Sequence, residues 1–296
     1  IYFPAADTVG VVAGGTEKIR FGSNELPPQN LLVNGAMNVA QRGPVTGLGG
    51  VNGARTAIDM WLVDTDGASN EGRFSVLQNA TTPVGFGNSL WVDCTTAESA
   101  VAAGDLNVIE TRNEAQNLQQ LDWGTAAAKD VTLSFWYRSA KTGIHCVMIY
   151  AEDSNRSMVK EFTIASANTF EYFSLTFAGD TGGTVFADDT GVGFRVGFPL
   201  VCGSTYQISA DTWTANNRYA TSNQQNLLDS TSGEVLITGV SLVVGGAAGD
   251  FEHEDYGTTL RKCQRYAKIL TTDANQPVGY GIVVGTTRSS IVIPTP

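Results

Sequence analysis

A chain of 296 residues with 29 acidic against 18 basic side chains, a net charge of −11, has no bulk attraction for nucleic acid or for an anionic membrane surface. Its length suffices for a sizeable core, and 33 glycines with only 16% charged residues suit many short strands and tight turns better than helices. No apolar run approaches the roughly 18 residues of a membrane-spanning helix. Cys94, Cys146, Cys202 and Cys263 are far apart, three of them inside apolar strand or helix patterns. They read as buried free thiols rather than as a disulfide framework or a metal site.

In chain order, residues 1–29 form a first segment. Val9–Val12, the Gly14-Gly15-Thr16 turn and Lys18–Phe21 are two short strands with too few apolar residues for a core of their own. Such strands need copies of themselves or a neighbour to pack on. Glu25-Leu26-Pro27-Pro28-Gln29 is a stiff linker and marks a boundary. The chain opens on Ile1 and stops on Pro294-Thr295-Pro296, so a longer protein is expected on either side.

Residues 30–247 read as one β-domain. After a loop over Gly43–Gly53, Ile58-Asp59-Met60-Trp61 begins a strand, and further strands are expected at Arg73–Gln78, Ser89–Asp93, Glu161–Ile164, Glu171–Phe177, Gly191–Phe198 and Glu234–Val244. The centre is Val131–Arg138, which alternates Val131, Leu133, Phe135 and Tyr137 on one face with Thr132, Ser134, Trp136 and Arg138 on the other. That period of two is a half-buried strand. A second alternating run through Cys146, Met148 and Tyr150 follows after Thr142-Gly143, and the two read as a β-hairpin. Eight to ten such strands without intervening helical patterns predict an antiparallel sandwich of jelly-roll type, all-β. The polar stretch Tyr206–Asp229 reads as a surface excursion.

Residues 248–296 change character. An acidic lead-in, Asp250–Tyr256, precedes a helix predicted over Thr258–Leu270, with Leu260, Cys263, Tyr266, Ala267 and Leu270 on one face. Gly279–Val284 and Ser290–Ile293 then begin a further β-module.

No catalytic constellation survives inspection. His145 and His253 are far apart, and no nucleophile elbow, phosphate loop or zinc-binding helix motif is present. Asp188-Asp189 and Glu152-Asp153 sit in predicted turns and read as solvated loops. A structural calcium held by loop carboxylates is a property of such sandwiches, but no ligand set is assigned and no cofactor is expected. Pyranose rings stack on flat side chains, which makes aromatics the candidates for sugar recognition. Trp61, Trp91 and Trp136 lie in strands and at least two are read as core; Trp123, Trp213, Tyr206 and Tyr219 fall in loop-like sequence and are the ligand-binding candidates.

Several stretches together resemble tail-fibre modules of marine and other tailed bacteriophages. These are Asn30-Leu31-Leu32-Val33-Asn34-Gly35-Ala36-Met37-Asn38-Val39-Ala40-Gln41-Arg42-Gly43, Ile58-Asp59-Met60-Trp61, Leu121–Thr125 with Val131–Ser139, Ile237–Leu242, Phe251-Glu252-His253, and Cys263-Gln264-Arg265-Tyr266. Met60 stands where the family usually has arginine. Gly14–Phe21 is similar to the short repeated strands of phage fibre shafts. The resemblance, over about residues 30–270, implies a virion protein outside the cell whose jelly-roll is similar to carbohydrate-binding modules. It implies a homotrimer that contacts other tail proteins and a host-surface glycan, and no enzyme. Asn34, Gly35, Arg42 and Glu252 read as turn and helix-lead chemistry. Trimer contacts are expected at Ile19, Phe21, Leu260, Cys263, Tyr266 and Leu270. A structural virion part, such as a capsid decoration or tail adaptor, is the alternative, and a polysaccharide depolymerase a weaker third.

Overall fold

The computed structural model describes residues 8–13, 16–22, 29–50, 55–67, 72–269, 280–285 and 288–292. In chain order its strands are β1 (Thr8–Ala13), β2 (Thr16–Gly22), β3 (Val45–Leu48), β4 (Arg55–Ile58), β5 (Trp61–Asp66) and β6 (Arg73–Asn79). Then come β7 (Ser89–Thr96), β8 (Leu106–Glu114), β9 (Val131–Ser139), β10 (Gly143–Ala151), β11 (Arg156–Ile164) and β12 (Glu171–Phe177). The last are β13 (Val192–Cys202), β14 (Thr214–Ala215), β15 (Glu234–Val244), β16 (Tyr280–Gly285) and β17 (Arg288–Val292), with one helix, α1 (Tyr256–Gln264), before β16.

β1–β2 and β16–β17 are two-stranded antiparallel hairpins. The other thirteen strands make an antiparallel sandwich. One sheet runs β14-β11-β10-β13-β8-β5-β4 and the other β12-β9-β15-β7-β6-β3. Period-2 patterning explains the core between them: Val131, Leu133, Phe135 and Tyr137 of β9 all point inward and are buried. Phe135 meets Phe198 of the opposite sheet edge-on at 5.0 Å, and Tyr137 meets Phe162 likewise at 5.1 Å. All four cysteines are free and buried.

Five expectations need correction. β9 and β10 are not a hairpin. β9 pairs with β12 and β15, whereas β10 pairs with β11 and β13 in the other sheet. Both strands carry a full apolar face, and the chain crosses the core between them so that each face finds a partner sheet. Ile58–Trp61 begins a strand only at its last residue, where β5 starts. It is the tight turn between β4 and β5, with Met60 at φ 70°. Within the expected loop at Gly43–Gly53, β3 pairs with β6. The helix ends at Gln264 rather than Leu270, and Leu270 lies outside the described residues.

The stretch Tyr206–Asp229 is the fifth. It folds over the outer face of the seven-stranded sheet and buries Tyr219 and Ala220 against Leu106, Val108, Cys146, Met148, Tyr150 and Val159. Its backbone is satisfied on the way, Gln225 N donating to Ile144 O at 3.0 Å and Leu227 N to Leu200 O at 3.0 Å. Polar composition hid a segment whose apolar side chains form a second, smaller core.

The turn chemistry of Asn34 and Gly35 is structural, as expected. Asn34 adopts φ 59° and its side chain donates to Val39 O and Asp59 O and accepts from Val39 N. A Cβ on Gly35 would lie 2.0 Å from Val240 O, so no side chain fits there.

Candidate functional site

The outward side chains of β5, β8, β10 and β13 build a charged patch beside the second core. In register, Arg195 of β13 faces Arg112 of β8 and Tyr150 of β10, and Glu110 of β8 faces Leu62 of β5. Two facing arginines are tolerable only with interleaved carboxylates. Glu110 supplies the first: its Oε1 accepts from Arg112 Nε at 2.7 Å and lies 3.6 Å from Arg195 Nη1. Glu152 takes Arg195 bidentately at 2.7 and 2.9 Å, and Asp64 lies 3.7 Å from Arg112. The Arg195 guanidinium also lies over the Tyr150 ring. Glu110 is 0% exposed, and burial raises its carboxyl above the ordinary range while Arg112 and Arg195 pull it back.

Next to this patch, between the β4–β5 turn, the ends of β8 and β13, and the segment after α1, lies a groove of about 330 Å³. Its floor is Met60, Leu62 and Val192, all half-buried. Tyr266 and Ala267 form one wall, and Arg42, Arg112 and Glu114 the polar rim. The Tyr266 side chain is 49% exposed, flat and amphipathic. Arg265 anchors this wall, gripping Glu114 with three contacts of 2.9–3.2 Å and lying over the Tyr266 ring. Burial acts to raise the Glu114 carboxyl, but hydrogen bonds from Gln116, Tyr266 and Arg265 outweigh it and hold the group below its ordinary value. Gln41 ties the wall from the other side. Its Nε2 donates to Asp59 Oδ1 at 2.9 Å and to Ala267 O at 3.0 Å. Apolar floor, one half-exposed ring and charged forks are the ingredients of a small-ligand site.

The expected ligand residues fall elsewhere. Trp123 is core, only 2% exposed, its Nε1 donating to Lys129 O at 2.7 Å. Trp213 packs edge-on against it at 5.0 Å, half-buried, with Nε1 donating to Ala178 O. Tyr219 is equally buried, in the second core, with Tyr206 edge-on at 5.8 Å and bonded through its hydroxyl to Asp66 Oδ2. These rings form two packed pairs, because the loop-like stretches that carry them fold back onto sheets. Trp123 and Tyr219 are therefore not offered to a ligand. Of the three strand tryptophans, Trp61 is core, whereas Trp91 and Trp136 are half-buried on the outward face of the six-stranded sheet. Among the expected contact residues, Cys263 is buried against its own sandwich, Leu260 is half-buried and Tyr266 lines the groove. Ile19 and Phe21 lie in β2. Arg42 also departs from its reading: the turn at Gln41-Arg42 is there, but the guanidinium is exposed on the groove rim. Only the assembled fold brings Arg42, Met60, Arg112 and Tyr266 together; no spacing in the chain signals it.

Among the described residues, no three His, Cys, Asp or Glu side chains converge as a metal site, and no helix is long and apolar enough to cross a membrane. No family model matches the sequence, and no curated protein does. Among solved structures, a family 11 carbohydrate-binding module of Clostridium thermocellum, in complex with a β-1,3-1,4-mixed-linked tetrasaccharide, is similar at 14% identity and TM-score 0.35, over 68% of this chain and 97% of that one. The C-terminal family 22 module of Clostridium thermocellum Xyn10B matches at 11% and 0.33, over 60% and 85%. The enzymatically active domain of tailspike protein 4 from bacteriophage CBA120 matches at 12% and 0.35, over 73% of this chain but only 21% of the tailspike chain. At these identities and TM-scores the similarities carry no functional argument.

Proposed function

We propose that the chain is a non-enzymatic, glycan-binding part of a phage tail fibre that attaches the virion to a host-surface polysaccharide. The observation that carries the binding reading is the groove: a half-exposed Tyr266 ring above a floor of Met60, Leu62 and Val192, rimmed by Arg112, Glu114 and Arg42. A pyranose has an apolar C–H face and equatorial hydroxyls. It stacks on a ring while guanidinium and carboxylate groups bond its edge. The fibre part of the reading is supported by the resemblance of residues 30–270, whose separated pieces meet in space. Asn30 Oδ1 accepts from Leu242 N at 2.9 Å, and Gln41 bonds Ala267. A binding rather than cleaving role is supported by the ties on the two carboxylates that line the groove, Glu114 to Arg265 and Asp59 to Gln41.

The test is titration of the full chain with a panel of bacterial surface polysaccharides. The expected result is saturable binding to at least one, weakened about tenfold or more by Tyr266→Ala, as loss of one stacked ring predicts. No binding across the panel, or binding indifferent to Tyr266→Ala, overturns it. One observation favours a second reading, an architectural virion part. Trp123 and Tyr219 are consumed in packing, and Trp213 and Tyr206 are tied by hydrogen bonds. That reading expects the first of these overturning results.

A further inference from the structure

We infer that the glycan held in the groove is anionic, its sugar carrying a carboxylate or a phosphate; this rests on the glycan reading above. The rim acids are already committed inside the protein. Glu114 is gripped by Arg265, and the buried Asp59 accepts from Gln41 N at 2.6 Å and from Gln41 Nε2. Arg112 is likewise taken, shared between Glu110 and Asp64. Arg42 is different. It lines the groove, is exposed, and makes no hydrogen bond or ion pair among the described residues.

That is unusual in this molecule. With 29 acids for 18 bases, carboxylates are in excess, and Arg138, Lys141, Arg156, Lys160, Arg195 and Lys262 each hold one. A second cation without a partner among the described residues, Lys268, follows the groove-lining Ala267. The two chain segments are held side by side through Gln41: its Nε2 donates to Ala267 O at 3.0 Å and its Oε1 accepts from Ile269 N at 3.4 Å. The fold therefore sets an exposed guanidinium without a partner among the described residues on the groove, with a second such cation on the adjacent segment. The guanidinium fork of Arg42 matches a carboxylate or a phosphate bidentately and with charge assistance, which the neutral hydroxyls of a sugar do not provide.

The experiment is titration of the full chain with a uronate-rich polysaccharide, the same polymer after carboxyl reduction, and a phosphate-bearing cell-wall polymer, each at low and high salt. Binding to the uronate or the phosphate polymer is expected, about tenfold stronger than to the reduced one and weakened by salt. Arg42→Ala should abolish most of that preference, while Arg42→Lys, which keeps charge but loses the fork, should keep part of it. The uronate and phosphate arms say which anion is preferred, and either supports the inference. Equal affinity for the acidic and reduced polymers, with Tyr266→Ala still weakening both, overturns the anionic inference and leaves the glycan reading standing. Failure to bind any of the polymers counts against both.

Discussion

His145 shows how a single buried side chain ties this fold to pH. It is 1% exposed, with Nε2 3.0 Å from Lys141 O and Nδ1 3.3 Å from Tyr137 Oη. A carbonyl can only accept, so Nε2 carries the proton and Nδ1 is left to accept from the tyrosine. A second proton would cost that hydrogen bond and place a charge among Tyr137 and Phe162. Burial accordingly lowers the ring from 6.5 to about 4, only partly opposed by the Lys141 carbonyl. For a base depressed in the folded state, the unfolded chain takes up the proton first as pH falls. Stability from this site is complete above 6.5 and drains away between 6.5 and 4, by about 3 kcal/mol. Urea unfolding at steps of pH should show that loss, and His145→Gln, which cannot charge, should show a shallower decline. Parallel curves for the two proteins would rule the mechanism out. At this scale the sequence was a mixed guide. The alternating run through Cys146, Met148 and Tyr150 was enough to place a strand at His145. Nothing in Leu121-Asp122-Trp123-Gly124 told that Trp123 turns inward, because that depends on the Lys129 carbonyl and on Phe186 and Phe194 arriving from elsewhere.

Among the elements, β15 organises the most. It is the shared neighbour of β7 and β9, and between Thr238 and Ser241 its register with β9 shifts. That bulge turns the Val240 carbonyl and amide toward Asn30 and Gly35, with Asn30 Nδ2 donating to Val240 O at 3.1 Å and Val240 N to Gly35 O at 3.0 Å. The opening of the domain is thereby stapled to its last strand. Gly239 makes the bulge possible at φ 61°, and a Cβ there would lie 2.6 Å from Phe86 Cζ and 3.1 Å from Trp136 Cδ1. Gly239→Ala should destabilise by about 2 kcal/mol or more, summing left-handed strain and displacement of the two rings. The urea midpoint is the measurement; an unchanged midpoint would mean the bulge is not needed. Strands such as β12 and β15 were legible to the residue because alternation and turn residues bound them. β8 was not, since Asn107, Glu110, Arg112 and Asn113 interrupt its apolar pattern; ion pairs from neighbouring strands make Glu110 and Arg112 acceptable, and Asn113 Nδ2 donates to Leu31 O. Pairing was the least legible feature: period two says which face is buried and is silent on which sheet a strand joins.

On the scale of the molecule, the question is what the sandwich leaves unsatisfied. Its two sheets bury one core, and residues 206–229 cover a second, so the domain does not need a partner to close either. Large exposed apolar side chains instead gather near the C-terminal end of the described sandwich region, at Tyr256, Tyr266 and Ile269. α1 spends Thr259 and Cys263 on its own sandwich and starts on an Asp255 cap that accepts from Thr258 N. Tyr266 belongs to the groove. Tyr256, the half-buried Leu260 and Ile269 are then apolar side chains without an assigned use in this region, as Val84, Tyr172 and Val185 are elsewhere, and a threefold contact through the first three would agree with the proposed fibre. Sedimentation velocity on the chain, whose mass is 31.3 kDa, should give a species near three times that value. The double variant Tyr256→Ser, Ile269→Ser should shift it toward a single chain while leaving glycan titration intact. If instead Tyr266→Ala alone dissociates the assembly, the groove is a subunit contact and cannot at the same time be the glycan site. A single-chain mass for the unaltered protein removes the trimer, and the groove would then have to bind its ligand without the avidity that three copies on one fibre supply.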